Sequence, residues 1–295
     1  MTTHPTLLVP CDVLNPRRAD EHFAPEAAAA RAAGWNVALV DHDALTRPGE
    51  AAEAVRKVPK NAEPVTVHAV YRGWMLRGEQ YADFASALST RGVTLRTSPA
   101  QYCQAHELPG WYDALATATP RSAWTTDDSR TAFDTARREI GPGPAVLRDY
   151  TKSMKHYWHE AAYIPDLDDA DTAWTVASRF RELRDDDFTG GFVLRRFEHF
   201  TSAEVRTWWV DGRCALLGPH PDTPDDLPDP EPDLAQLAPL IADLALPFVT
   251  VDLARREDGT WRVIELGDAQ VSDRPTTVPP HTLLTTLHPD PRPGT

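Results

Sequence analysis

The sequence predicts a small α/β lobe with a parallel sheet, followed by a larger α+β region built on antiparallel hairpins. Through the first hundred residues short apolar runs alternate with helical patterns, and that alternation implies parallel strands joined by crossovers. Further on, Asp-Gly pairs stand between strand-like runs at Val210-Asp211-Gly212-Arg213 and Glu257-Asp258-Gly259-Thr260, which is the turn chemistry of antiparallel hairpins. The 295 residues, 41% hydrophobic and 25% charged, suffice for one large unit or two joined lobes and exclude a wholly disordered or fibrous chain.

In chain order, residues 6–14 (TLLVPCDVL) read as a strand. Residues 25–34 read as a helix with a starting Pro and a closing Gly, and residues 36–40 (NVALV) as a second strand. Residues 65–71 form a third strand, 80–90 an amphipathic helix closed by Gly92, and 93–96 a fourth strand. Residues 100–117 are helical around Pro109-Gly110, and 131–140 is a helix ending at GPGP. Residues 145–150, 156–164, 192–197, 205–210, 214–217 and 261–266 are all strand-like. Residues 221–232 hold five prolines and five acids, so no packed element forms there and an exposed loop is expected. The division expected is 1–110 for the α/β domain, 111–290 for the α+β domain, and 291–295 for a mobile Pro-rich tail.

Acids outnumber bases by 44 to 30, a formal charge of −14, which argues against nucleic-acid or anionic-membrane partners because phosphate surfaces need a basic face. Cys11, Cys103 and Cys214 are scattered and odd in number, reading as free, buried thiols of a reducing cytoplasm. No run approaches the length of a membrane span, so a cytoplasmic protein is expected. A homodimer is compatible with the sequence. The only lysines are Lys57, Lys60, Lys152 and Lys155, so half of a scarce residue type falls in one segment.

That segment, Arg148-Asp149-Tyr150-Thr151-Lys152-Ser153-Met154-Lys155, puts cations and hydroxyls within a few residues, an arrangement suited to a polyphosphate and otherwise a solvated charge run. Glu204 and Arg206 share one strand face by the two-residue period; a carboxylate there can accept ribose hydroxyls and an Arg fork can hold phosphate, while the plain alternative is a surface ion pair. Asp252, in VTVD, and Glu265, in VIELGD, end neighbouring strands of a hairpin. Paired carboxylates of this kind suit a hard divalent cation, and solvent-facing hairpin positions are the equal alternative. Arg72, after the third strand, is a candidate for holding a substrate carboxylate, or a solvent-facing Arg. Asp12, Arg17 and Asp20 lie at the sheet edge where open α/β folds bind ligands, and read equally as loop and cap residues.

The order of these features resembles the ATP-grasp superfamily, and most closely the divergent bacterial and phage R-two-K clade, family three type. The likeness rests on Tyr71-Arg72-Gly73-Trp74-Met75-Leu76, the helix from Gln101-Tyr102 to Trp111-Tyr112, Lys152-Ser153-x-Lys155-His156 and Glu265-Leu266-Gly267-Asp268-Ala269-Gln270. It implies a small pre-ATP-grasp lobe followed by a two-lobed ATP-grasp domain with antiparallel sheets, holding ATP with Mg²⁺, or Mn²⁺ in its place. By position it implies that Arg148, Lys152, Ser153 and Lys155 hold phosphates and that Arg195, Arg196 and Phe197 form the strand that reads adenine through its backbone. It further implies Glu204 on ribose, Arg206 with Lys155 at the transferring phosphoryl, and Asp252 and Glu265 as metal ligands. Gly267 stands where an Asn ligand is frequent, leaving Asp268 as a substitute metal ligand. The implied activity is an ATP-dependent carboxylate–amine ligase acting on a small amino-acid or peptide substrate. An ATP-binding sensor or scaffold, and a small-molecule kinase, are the alternatives.

Overall fold

The computed structural model describes residues 5–61 and 67–287; the expected tail at 291–295, and positions 65–66 of the third predicted strand, lie outside them. Two compact units emerge, one of Met1–Cys103, Ala203–Asp252 and Gly267–Thr295, the other of Gln104–Ser202 and Leu253–Leu266.

The chain opens with β1 (Thr6–Pro10), α1 (Ala24–Ala32), β2 (Asn36–Val40), two short helices α2 (His42–Thr46) and α3 (Ala51–Ala54), β3 (Val67–Tyr71), α4 (Gly78–Ser89) and β4 (Val93–Leu95). The four strands form a sheet of order β2-β1-β3-β4, with β1–β2, β1–β3 and β3–β4 all paired parallel. All five residues of β1 are buried, as a central parallel strand covered on both faces requires. Leu8, Val40, Tyr71 and Phe84 pack on one side, while Leu7, Val9, Phe23, Trp208 and Leu283 share another cluster. Each such fully buried apolar side chain contributes about 1.5–3 kcal/mol.

After α5 (Pro99–His106) come α6 (Leu108–Leu115), β5 (Ser122–Trp124), α7 (Arg130–Ile140), β6 (Ala145–Arg148), β7 (Tyr163–Ile164), α8 (Ala170–Arg184) and β8 (Val193–Arg196). Their strands make an antiparallel sheet of order β5-β8-β6-β7. Its core gathers Phe133, Leu147, Phe180, Phe192 and Leu194. Helix α8 escapes the strand-oriented reading above, although Asp169 caps it by accepting the Thr172 amide at 3.1 Å and Ala173, Val176, Ala177 and Phe180 are buried at helical spacing. The predicted strand at 156–164 is corrected. Lys155–Tyr157 and Trp158–Ala162 are single helical turns, and only Tyr163–Ile164 is extended. Ala161 and Ala162 are wholly buried and Trp158 stacks on Tyr163 at 5.4 Å, so packing overrides the aromatic strand propensity.

The last elements are β9 (Val205–Val210), β10 (Arg213–Pro219), α9 (Leu237–Asp243), β11 (Phe248–Arg255), β12 (Trp261–Asp268) and α10 (Pro280–Thr286), with sheet order β10-β9-β11-β12. Asp211 and Gly212 take φ of +47° and +77°, as a two-residue turn with positive φ at both central positions demands. A Cβ on Gly212 would also stand 2.9 Å from Ala242 Cα. Residues 221–232 form neither helix nor strand. The expectation of buried thiols holds for Cys11 and is corrected for the half-buried Cys103 and the exposed Cys214. Among the described residues no helix is long and apolar enough to cross a membrane.

Candidate active site

In the second unit the cationic segment is a stapled turn. Asp149, fully buried at the end of β6, accepts from the Thr151 and Lys152 amides at 2.8 and 2.7 Å through Oδ1, and from Arg184 Nε at 2.8 Å through Oδ2. Ser153 then bridges back to Arg148. This fixed turn leaves the Lys152 and Lys155 side chains exposed. Arg148 donates to Thr151 O at 2.7 Å and stands 3.5 Å from Glu265 Oε1, with Glu265 39% exposed. Burial, then the neighbouring Arg148 charge, pull the Arg195 guanidinium down to about 9. Two guanidinium groups around one carboxylate leave an excess of positive charge, which suits phosphate oxygens.

Two backbone amides of the strand expected to read adenine are engaged within the second unit. The Arg196 amide donates to Arg121 O at 2.8 Å and the Phe197 amide to Pro144 O at 3.0 Å. Arg195 donates to Ile264 O at 2.6 Å and Thr119 Oγ1 at 2.8 Å, and Arg196 donates to Ile140 O and Pro142 O at the end of α7. These side chains brace the second unit. Phe197 packs edge-on against Tyr163 at 5.4 Å, beside Trp158.

In the first unit Arg206, on β9, grips Asp252, on β11, through two hydrogen bonds of 2.8 Å. Burial alone would raise the Asp252 carboxyl, but Arg206, with help from His220, outweighs it and holds the group well below the usual range. His220 Nε2 lies 3.0 Å from Arg206 Nη2, 3.6 Å from Asp252 Oδ2 and 3.9 Å from Glu204 Oε2. Its Nδ1 accepts the Asp222 amide at 3.1 Å, which assigns the ring proton to Nε2. Two donors, Nε2–H and Arg206 Nη2, then face each other.

His220 is the functional candidate that the sequence reading passes over. Counting back from the Asp211-Gly212 turn pairs Glu204 with Pro219. A register shift between Cys214 and Leu216 moves the pairing by one, so Val205 faces Pro219 and the His220 amide donates to Glu204 O at 3.1 Å. Glu204, His220 and Asp252 each bring a ligand atom within 4.8 Å of the others. Two carboxylates at that spacing fit a hard divalent cation, with Arg206 as the group that must yield Asp252 to it.

Two expected site residues are placed differently. Arg72, 1% exposed, donates to both oxygens of Glu26 at 2.7 and 3.1 Å and to the carbonyls of Ala269, Gln270 and Ser272 at 2.5, 3.1 and 2.9 Å. It lies 5.4 Å from the Trp208 ring centroid. A guanidinium so engaged and so deeply buried joins β3 to the segment after β12 and is not presented to a substrate carboxylate. Asp268 is wholly buried, and its Oδ1 accepts the Gln270 amide at 2.9 Å. Burial pushes its carboxyl up to about 6 despite those hydrogen bonds. Asp268 lies apart from the Glu204–His220–Asp252 cluster described above, and it is left out of the donor set proposed below.

The Asp268 position predicts a pH effect. The folded carboxyl binds its proton more tightly than an unfolded one, so the stability it contributes is present near pH 4 and is lost as pH rises through about 6. Asp268→Asn should therefore gain stability over the wild type with rising pH, reaching on the order of 3 kcal/mol at pH 7. Urea unfolding of both proteins at pH 4.5 and 7 checks this; a pH-independent difference would refute it.

A family model described as the ATP-grasp domain, R-two-K clade family 3, matches residues 138–287. No curated protein matches. Among solved structures, D-cycloserine synthetase DcsG is 17% identical, with 96% of this chain and 98% of that one covered and a TM-score of 0.61. D-alanyl-alanine synthetase A from Vibrio cholerae is 12% identical, covering 97% and 98%, with a TM-score of 0.56. The ATP-grasp ligase PsnB, complexed with minimal precursor, Mg and ADP, is 14% identical over 92% and 91%, with a TM-score of 0.52. At such identities the likeness speaks for the fold, which agrees with the parallel sheet and the two antiparallel sheets described above, while the family match spans half the chain. The chain belongs to the ATP-grasp superfamily, R-two-K clade family 3.

Proposed function

We propose that this protein is an ATP-dependent carboxylate–amine ligase forming an amide bond through an acyl phosphate. An acid substrate's carboxylate oxygen attacks the γ-phosphorus of ATP and the bond to the ADP oxygen breaks, giving acyl phosphate and ADP. An amine nitrogen then attacks the acyl carbon, phosphate leaves with that carboxylate oxygen, and the amine gives up a proton. The observation that carries this reading is the Arg206–Asp252 pair with Glu204 and His220 beside it. A scaffold that only holds a nucleotide needs no such charged constellation.

Each unit, taken by itself, carries groups suited to this chemistry. In the second, Arg148, Lys152, Ser153 and Lys155 bind phosphate oxygens, the first three on or against the Asp149-stapled turn. In the first, Arg206 steadies the transferring phosphoryl, and Glu204 and Asp252 offer carboxylate oxygens, as does Glu265 in the second. Mg²⁺, when bound by such carboxylates, offsets charge on the phosphates. His220 stands between the two carboxylates, with Nε2 3.6 Å from Asp252 Oδ2 and 3.9 Å from Glu204 Oε2. The acid substrate is a small amino acid or peptide in this reading.

The test is ADP and phosphate release from Mg-ATP with pools of acids and amines. Glu265→Gln should lower turnover at least about a hundredfold while leaving the unfolding midpoint in place, since Glu265 is half-exposed. No ADP from any pool alongside normal ATP binding would favour a scaffold, and a stable phosphorylated product would favour a kinase.

A further inference from the structure

The first unit contains a cavity of about 140 Å³ lined by Cys11, Asp12, Asp20, Asp41, His42 and Trp74, among others. It opens beyond the carboxyl ends of β1, β2 and β3, where parallel sheets place ligands. Cys11, 7% exposed, is among its most enclosed lining residues. Trp74, 38% exposed, forms a wall held by ring contacts with His22 at 4.6 Å and Phe23 at 4.9 Å.

The lining has one sign of charge in excess. Asp12, Asp20, Asp41 and Asp43 all border the cavity, and among the described residues none of them forms an ion pair with Lys or Arg. Arg47, the one Arg in the lining, is held by Glu50 at 2.7 Å, and Lys57, beside the lining, donates to Pro16 O at 2.6 Å, so two cations stand against four carboxylates. Each of Asp12, Asp20 and Asp41 fastens a local amide through Oδ1. These anchors fix the carboxylates around the cavity while Oδ2 stays open to a partner. Burial, outweighing the acids around it, depresses His42, whose Nδ1 meets the Tyr71 hydroxyl at 3.2 Å, so the imidazole is neutral and does not offset the acids. A fixed aromatic wall and an excess of carboxylates recognise an organic cation, by ion pairing and by cation–π attraction. A carboxylate-bearing ligand is repelled by the same acids.

We infer that this cavity binds a small aliphatic amine or diamine cation that lacks a carboxylate. Space of this size holds roughly six to eight non-hydrogen atoms, since a cavity near 150 Å³ accommodates benzene. Identifying the occupant as the amine substrate rests on the ligase reading above; binding itself does not.

The experiment is calorimetric titration of the full-length protein, without ATP, with putrescine, and with butanol and succinate as neutral and anionic controls. Putrescine binds and the controls do not. The double variant Asp20→Asn/Asp41→Asn keeps both local caps, because an amide oxygen still accepts those hydrogen bonds, so its unfolding midpoint is unchanged and its putrescine affinity falls at least about tenfold. Absence of putrescine binding, equal binding of butanol or succinate, or an unchanged affinity in the folded variant overturns the inference. Putrescine binding without any ADP release in the substrate screen leaves the cavity assignment standing and removes the ligase. ADP release with amines for which the cavity shows no affinity does the reverse.

Discussion

Arg72→Ala should destabilise the protein by about 3–5 kcal/mol, the cost of stripping the partner from a buried charge. Glu26, 4% exposed, would keep among the described residues Arg274 at 3.5 Å as its one Arg or Lys partner, and the carbonyls of Ala269 and Ser272 would lose their Arg72 donor, while Gln270 O keeps the Gly73 amide at 3.2 Å. Burial works against the Glu26 carboxylate and Arg72 outweighs it, so the pair's stabilisation is present at neutral pH and lost as pH falls through the depressed carboxyl value. Adding Glu26→Gln to Arg72→Ala should recover part of the loss by removing the stranded charge, leaving about 1–3 kcal/mol for the orphaned carbonyls. Chemical denaturation of the three proteins measures this. An Arg72→Ala protein of near wild-type stability with a raised KM for the acid substrate would return Arg72 to the substrate-binding role that its position after the third strand first indicated.

Arg206→Lys should lower kcat at least about a hundredfold while the fold survives. An ammonium keeps the charge but reaches only one oxygen of Asp252, and it cannot reproduce the planar grip on phosphoryl oxygens. The loss should fall on kcat more than on KM for ATP, because the proposed role of Arg206 lies at the transferring group and not in resting binding. Asp252, 3% exposed, keeps one charged contact in the variant, so the stability cost should stay near 1–2 kcal/mol. Steady-state kinetics beside thermal unfolding separates the two effects. A variant with unchanged kcat would remove Arg206 from the chemistry and leave it as a strut between β9 and β11.

Much of the architecture is written in local patterns. Strand–helix alternation through β4 yields the parallel sheet, and Asp211-Gly212 yields the β9–β10 hairpin because only a turn with positive φ at both residues closes it this way. The acid and arginine positions on β9 and β11 follow from the two-residue period, which correctly puts Glu204 and Arg206 on one face. What escaped depends on events that no local pattern encodes. The bulge in β10 shifts the register by one residue and hides His220 from any count along the hairpin. Arg72, Arg195 and Arg196 look alike as exposed cations in sequence, yet each is sequestered by carbonyls far along the chain, such as Ala269 O for Arg72 and Ile264 O for Arg195. Asp268 sits beside Glu265 in one short motif and still differs from it completely, being wholly buried where Glu265 is 39% exposed. Alternation along a strand separates their faces, while the depth of each face is a property of the packed molecule.

The central claim is that a substrate carboxylate is phosphorylated by ATP and then displaced by an amine. The most direct measurement labels that carboxylate with oxygen-18, using the acid identified in the substrate screen, and analyses the phosphate released during turnover by mass spectrometry. An acyl-phosphate route places one labelled oxygen in each phosphate and gives a product mass equal to acid plus amine minus water. Unlabelled phosphate, or AMP and pyrophosphate in place of ADP and phosphate, would contradict it.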